Sequence, residues 1–389
     1  MRRRRLLAVT GLSALGGCLR LTETGDETGT ETADGTGTEN VDDSETTGPT
    51  DDDSGETTTS DSPEVVSAES TWLWSDRPST TAMGEDVLYV GTGSGVTALD
   101  PESGDERWTA TTDSAVRAIA PTDDGVVAVG AAADDEETGV VSTVDGDGAV
   151  RERTEVDRSL RSVAVGDEAV LAGVYGTSSD REGPILFALD RESLEGRWDA
   201  SQFSEDSVDG ITIVDGTAFV GYANHFATYS LDDGSEGIST DWGISGRPLV
   251  EDGIAYLTAH EGLRALDVAS GIEEWNFENG DLHTAPTLAD GTLYVGGWDG
   301  LYAVEPDGSN GRKLVDTGED AYVTTPPEFH AGYVWILTVE NRLLAVEPTH
   351  EEVLFETELD GEGKWLAGSG DVLYVEHDRG VEAFTVETQ

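Results

Sequence analysis

Apolar and polar positions along this chain alternate in short bursts and do not settle into a helical period. Residues 292–295 (Thr-Leu-Tyr-Val) and 301–304 (Leu-Tyr-Ala-Val) read as two strands, with an Asp-Gly pair before the first and Gly297-Trp298-Asp299-Gly300 between them, so the stretch predicts a β-hairpin. A lone hairpin is marginal in water and has to stack on others. Fuller copies of the pattern begin at Val87, Ala169 and Gly253, and weaker ones begin near Gly125, Gly216, Gly332 and Asp371. Repetition at a spacing of about 40 residues predicts an all-β fold, an eight-bladed β-propeller of four-stranded antiparallel blades.

Each unit is expected to run from an inner strand through two middle strands to an outer one, as in residues 284–288, the hairpin, and residues 312–315. The last copy supplies only three strands, near 364–367, 372–376 and 381–385, whereas residues 71–74 (Thr-Trp-Leu-Trp) have no hairpin ahead of them. The shortage matches the surplus. The N-terminal strand is therefore expected to complete the final blade, closing the ring and removing exposed sheet edges. The weakest pattern belongs to the outer strand of the fourth unit, around residues 235–240.

The first part of the chain has a different character. Residues 1–18 join a run of arginines to an apolar segment and then small residues, the pattern of a secretory signal peptide. Arg3-Arg4-Arg5-Leu6-Leu7 resembles a twin-arginine signal, and Leu15-Gly16-Gly17-Cys18 resembles a lipobox, which implies cleavage before Cys18 and lipidation of its thiol. Cys18 is the one cysteine, so no intrachain disulfide is available. Residues 19–64 are dominated by Thr, Gly, Asp and Glu and are expected to form a disordered acidic tether. As a flexible coil of about 45 residues it would span roughly 35 to 40 Å. The propeller is assigned to residues 65–389 and the protein to the extracellular face of the cell membrane, held there by its lipid anchor. No run of 18 apolar residues and no N-glycosylation sequon occurs.

Charge narrows the classes of partner. The chain has 80 acidic and 22 basic residues, a net charge of -58, and only the lysines Lys313 and Lys364. Such a surface repels nucleic acid phosphates and anionic lipid headgroups, so neither is expected to bind through general electrostatics. Self-repulsion of this size becomes tolerable when molar salt shrinks the Debye length to about 3 Å. The near-absence of lysine resembles secreted proteins of haloarchaea.

Three copies end in a fuller phrase, Ala98-Leu99-Asp100 through Trp108, Ala188-Leu189-Asp190 through Trp198, and Ala265-Leu266-Asp267 through Trp275. Asp opens the turn, Gly supplies a positive backbone angle, and the tryptophan packs a flat surface on the neighbouring blade. Trp108, Trp198 and Trp275 are accordingly read as structural docking residues. The phrase resembles the PQQ-type (quinoprotein-type) propeller repeat of quinoprotein alcohol dehydrogenases and of the propeller lipoprotein in the outer-membrane β-barrel assembly machinery. The resemblance spans about residues 71–389. The dehydrogenases carry adjacent joined cysteines over the quinone, calcium ligands and a catalytic aspartate. This chain departs from them, having no cysteine after Cys18 and no long insertions, so PQQ is not expected as a cofactor and no catalytic residue is assigned. The assembly lipoprotein is closer in size, blade number and anchoring, but it works at an outer membrane that a haloarchaeal host lacks, so its specific partner is not carried over. The expectation is a lipid-anchored, monomeric, non-catalytic scaffold that binds a protein partner or a small extracellular ligand. A solute- or carbohydrate-binding receptor and a quinone-dependent dehydrogenase are the alternatives.

Two sets of side chains carry candidate chemistry. The loops between middle strands hold Asn224-His225, His260-Glu261, Trp298-Asp299, Glu340-Asn341 and His377-Asp378, so imidazole and indole groups are expected beside acids on one face. Such groups suit a sugar or a divalent metal, although one pair per blade gives no compact metal site. The second set is Arg77, Arg117, Arg161, Arg247, His283 and Lys364, each at or just before the start of an inner strand and hence near one mouth of the central channel. Either they form an electropositive mouth suited to a carboxylate or phosphate, or they pair with acids of the next blade and offset repulsion. No Ser-His-Asp arrangement, phosphate loop or zinc-protease helix is present.

Overall fold

A computed structural model of the chain describes residues 66–174, 183–200, 207–318 and 320–388. The signal peptide and tether expected over residues 1–64 lie outside them. The described residues fold into eight four-stranded antiparallel sheets. Blades 1 to 7 each use four consecutive strands, from Thr80–Met83, Leu88–Gly91, Gly95–Leu99 and Glu106–Thr111 in blade 1 to Glu328–His330, Tyr333–Leu337, Arg342–Glu347 and Glu352–Glu358 in blade 7. Blade 8 takes Gly363–Ser369, Val372–His377 and Gly380–Thr388 from one end of the chain and Val66–Trp74 from the other. Val66 pairs opposite Thr388 and Trp74 opposite Val381, so the N-terminal strand closes the ring. The strand is longer than residues 71–74 because a bulge between Ser70 and Trp72 breaks its alternation. The weakly patterned outer strand of blade 4 is present as Glu236–Thr240.

Local chemistry explains these elements. Both faces of each middle strand are covered, and Leu88–Gly91 and Gly95–Leu99 are buried at every position, which is why they read as near-continuous Leu, Val and Ala. Where Asp215-Gly216, Asp252-Gly253 and Asp290-Gly291 join the first two strands of blades 4, 5 and 6, both residues take positive φ, 46 to 48° for Asp and 74 to 80° for Gly. These are the values that a type I′ hairpin turn demands.

The blades are joined near their outer edges by tryptophan. Trp108, Trp198 and Trp275 donate Nε1–H to the carbonyls of Gly146, Leu231 and Pro306 in the next blade, at 2.8, 3.1 and 2.9 Å. Their rings lie against Gly148, Gly234 and Gly308, where a Cβ would come within 2.8, 2.6 and 2.6 Å of the indole. Trp72 does the same across the closure, donating to Pro101 O at 3.2 Å and covering Gly104. Near the axis, side chains of one blade bond to the backbone of the next. Ser79 Oγ donates to Val116 O at 2.6 Å, Thr212 Oγ1 to Pro248 O at 2.5 Å and Thr287 Oγ1 to Pro327 O at 2.6 Å. Such bonds fix the inner strands around the channel and make its mouth a rigid frame.

Candidate site at the channel mouth

Each inner strand borders the channel as the edge of its sheet. In blades 2, 3, 4 and 8 a bulge near the start of that strand leaves one residue out of the ladder, and those residues are Arg117, Arg161, Asp209 and Lys364. In blades 1, 5, 6 and 7 a proline-bearing segment takes the same place, with Pro78, Pro248, Pro286 and Pro327. Arg77 and Arg247 directly precede two of these prolines, and His283 lies three residues before a third. The fold therefore gathers the sequence-predicted cations by a common backbone device. It also adds Asp209, an acid at the equivalent bulge, which a search for basic residues passes over.

Their surroundings differ. Arg77, Arg117, Arg161 and Lys364 are exposed, from blades 1, 2, 3 and 8, which form one continuous arc. The Arg117 guanidinium donates to Ser159 Oγ at 2.8 Å, and Arg77 offers only its backbone N–H, to Asp76. Arg247 is half-buried. Its backbone packs so closely on blade 4 that a Cβ on Gly210 would lie 2.4 Å from the Arg247 Cα. Burial alone draws the Arg247 pKa below the ordinary arginine value. Among the described residues no carboxylate forms an ion pair with Arg77, Arg247 or Lys364. Lys364 acts only at longer range on buried Glu376, whose pKa burial raises and the lysine lowers.

The turns facing the mouth carry a second group. Trp298 is 50 % exposed and rests on His283, with ring centroids 4.5 Å apart and 28° between planes. Tyr322 leans on Trp298 at 4.8 Å and 58°, and His283 donates Nε2–H to Val323 O at 2.7 Å. Burial lowers the His283 pKa more than its bonds to backbone carbonyls raise it, so the ring is neutral at pH 7. One blade earlier, the Arg264 guanidinium lies over the Trp242 ring at 4.6 Å and is held by Glu261 and Glu273. His260 is exposed at the tip of its turn.

Two expected ring groups are not on this surface. His377 has no solvent exposure: the fold turns its side chain inward, with Nε2 3.6 Å from Glu382 Oε2 and Nδ1 accepting from Arg379 N–H. His225 is also buried, stacked on Tyr222 at 3.9 Å. His377 is the last residue of its second strand and His225 directly precedes the first residue of a third, and ladder register rather than residue type decides which way they point. Among the described residues no three His, Cys, Asp or Glu side chains meet as metal ligands. A shallow pocket of about 300 Å³ lies between Glu155 of blade 2 and Phe187 and Trp198 of blade 3, at the outer strands and away from the mouth.

Comparison with known proteins gives the family. The family described as outer membrane protein assembly factor BamB matches residues 50–207 and 181–389. No curated protein matches the chain. Among solved structures, BamB from Moraxella catarrhalis is similar at a TM-score of 0.66 and 17% identity, over 82% of this chain and 99% of that one. The computationally designed Ika8 protein is similar at 0.66 and 15%, over 81% and 98%. A europium-containing methanol dehydrogenase is similar at 0.62 and 11%, over 82% and 93%. At these identities the likenesses establish the propeller fold and no activity. The family match extends over all eight blades and far more than half the chain: this protein belongs to the PQQ-repeat propeller family described as outer membrane protein assembly factor BamB.

Proposed function

We propose that this protein is a lipid-anchored, non-catalytic scaffold of the cell envelope, tethered through Cys18, that grips a protein partner at the channel mouth. The observation that carries the reading is the arc of Lys364, Arg77 and Arg117 over three adjacent blades. In a chain with 80 carboxylates, cations on a rigid frame without an ion-pair partner are available to carboxylates from outside. Arginine suits that task because its planar fork meets a carboxylate with two parallel bonds. The partner is therefore expected to offer an acidic segment. The family's description and a secretion signal ending at the lipobox support an envelope location, and an exported anchor explains why the acidic tether precedes the blades.

The test is a crosslinking pull-down from membranes held at molar salt, using the wild-type chain, Cys18→Ser, and a triple variant Arg77→Glu, Arg117→Glu, Lys364→Glu. The expected result is a partner crosslinked through an acidic segment to the wild-type chain and lost from the triple variant, with Cys18→Ser released from the membrane. Recovery of the same partner by the triple variant would overturn the channel-mouth reading. Cys18→Ser remaining in the membrane fraction would overturn the anchor.

A further inference from the structure

Trp298 holds the first tip position of a two-residue turn that recurs with identical register in blades 5, 6 and 8. Ala259 pairs opposite Gly262, Gly297 opposite Gly300, and His377 opposite Gly380. The other two turns place His260 and Asp378 at that tip, so the backbone does not call for a large apolar residue there. The repeat thus supplies its own control. Trp298 keeps half its surface in water, and among the described residues it is the one aromatic side chain in the set of exposed large hydrophobics. Exposing an indole costs hydrophobic free energy that a histidine or aspartate would not.

The ring is nevertheless held firmly. His283 backs one side at 4.5 Å, Tyr322 leans against it, and the Trp298 backbone N–H donates to Asp281 O at 2.8 Å. The imidazole beneath is uncharged at neutral pH. The carboxylates of Asp281 and of Asp320, two residues before Tyr322, are exposed and form no ion pair with any described residue. By contrast Asp299, the second residue of the tip, faces the outer strands, where Lys313 and the Tyr302 hydroxyl occupy it.

We infer that the open face of Trp298 binds an organic cation, a guanidinium or ammonium group, with Asp281 and Asp320 supplying the countercharge. The molecule already satisfies this chemistry internally one blade away, where Arg264 covers the Trp242 ring at 4.6 Å with Glu261 and Glu273 beside it. In blade 6 the indole and the carboxylates are present and the cation is left to come from outside. A ring face attracts a cation through its negative quadrupole, and the net charge of -58 raises the local concentration of any cation. A small solute and a partner's Arg or Lys side chain share this chemistry.

The test uses no partner protein, so its failure leaves the scaffold reading standing and its success does not depend on that reading. The full chain is titrated by calorimetry with tetramethylammonium, Nα-acetylargininamide, a short arginine-containing peptide and methyl glucoside. Saturable binding of the cations is expected, weakened about tenfold by Trp298→Ala. A smaller loss, about threefold, is expected in the double variant Asp281→Asn, Asp320→Asn, from lost countercharge. Peptide binding that exceeds the free amide identifies a polypeptide source, and equal affinity a solute. Trp298→Phe keeps a ring and should retain part of the affinity, which separates a lost face from a misfolded turn. Cation affinity unchanged in Trp298→Ala, or a preference for methyl glucoside over both cations, would overturn the inference.

Discussion

Basic residues meet opposite fates at two radii of this propeller. Toward the outer strands Arg107, Arg197, Arg264, Arg312, Lys313 and Arg342 each reach a carboxylate within ion-pair distance. Around the mouth, Arg77, Arg247 and Lys364 reach none, and Arg117 settles on a hydroxyl. Pairing is the default where carboxylates outnumber cations almost four to one, so its absence at one radius is the informative case. Outer cations neutralise blade edges that would otherwise repel. Arg77, Arg117, Arg247 and Lys364 are placed at the mouth by bulges and prolines, and among the described residues none of them forms an ion pair with a carboxylate.

If that division is right, the largest effect comes from an outer cation that is also buried. Arg264 is 7 % exposed, and Arg264→Ala strands Glu273 and bares Trp242, so a loss of about 2 to 3 kcal/mol in denaturant unfolding is expected. A change below about 0.5 kcal/mol would remove the contrast. Next, Gly308→Ala forces a Cβ to within 2.6 Å of the Trp275 ring at a φ of 80° and should cost about 2 kcal/mol. Gly253→Ala, with the same φ and nothing within 4 Å, should cost about 1. Equal costs at the two sites would mean that backbone strain matters and blade docking does not.

A pH series sharpens the outer half further. Hydrogen bonding to Asp299 raises the Lys313 pKa against a smaller opposing effect of burial, so this contribution is full below the unfolded value of about 10.4 and fades as pH rises through the higher folded value. Burial raises the Asp299 pKa, but bonds to Lys313 and Tyr302 together lower it further, so its share is present above about 3.9 and is lost as pH falls through the lower folded value. The difference between wild type and Lys313→Met, about 1 kcal/mol at pH 7, should therefore vanish at both extremes. A difference that does not vary with pH would assign it to packing alone. The smallest effect is expected at the mouth, where Arg77→Ala, Arg117→Ala and Lys364→Ala should each stay within about 0.5 kcal/mol of wild type. A loss above about 1 would make these residues structural and undo the comparison.

The fold was legible because its signals are local and repeated. Asp-Gly turns, apolar quartets and the closing Trp of each phrase need only a few residues to be read, and each recurs until the blade count is evident. The closing strand that holds Trp72 was legible, but the docking role of Trp72 escaped the pattern because its phrase is split, its blade partners Gly380–Thr388 lying at the far end of the chain. Half of the site was legible for the same reason, since position relative to an inner strand sufficed to gather Arg77, Arg117, Arg161, Arg247, His283 and Lys364. His377 and Trp298 show the limit: both belong to hairpin turns of the same kind, yet one has 0 % exposure and the other 50 %.

Sequence alone determined what depends on nearest neighbours along the chain: the strands, the turns, the number of blades, the closure by the first strand, and which residues stand where an inner strand begins. Only the tertiary structure decided which of those residues keep a partner. Direction in a strand reverses at every residue, so a one-place difference in register sends His377 into the blade and leaves Trp298 in water. Ion pairing likewise depends on carboxylates contributed by other strands and blades, brought near or kept apart by the ring, and no local pattern records that distance.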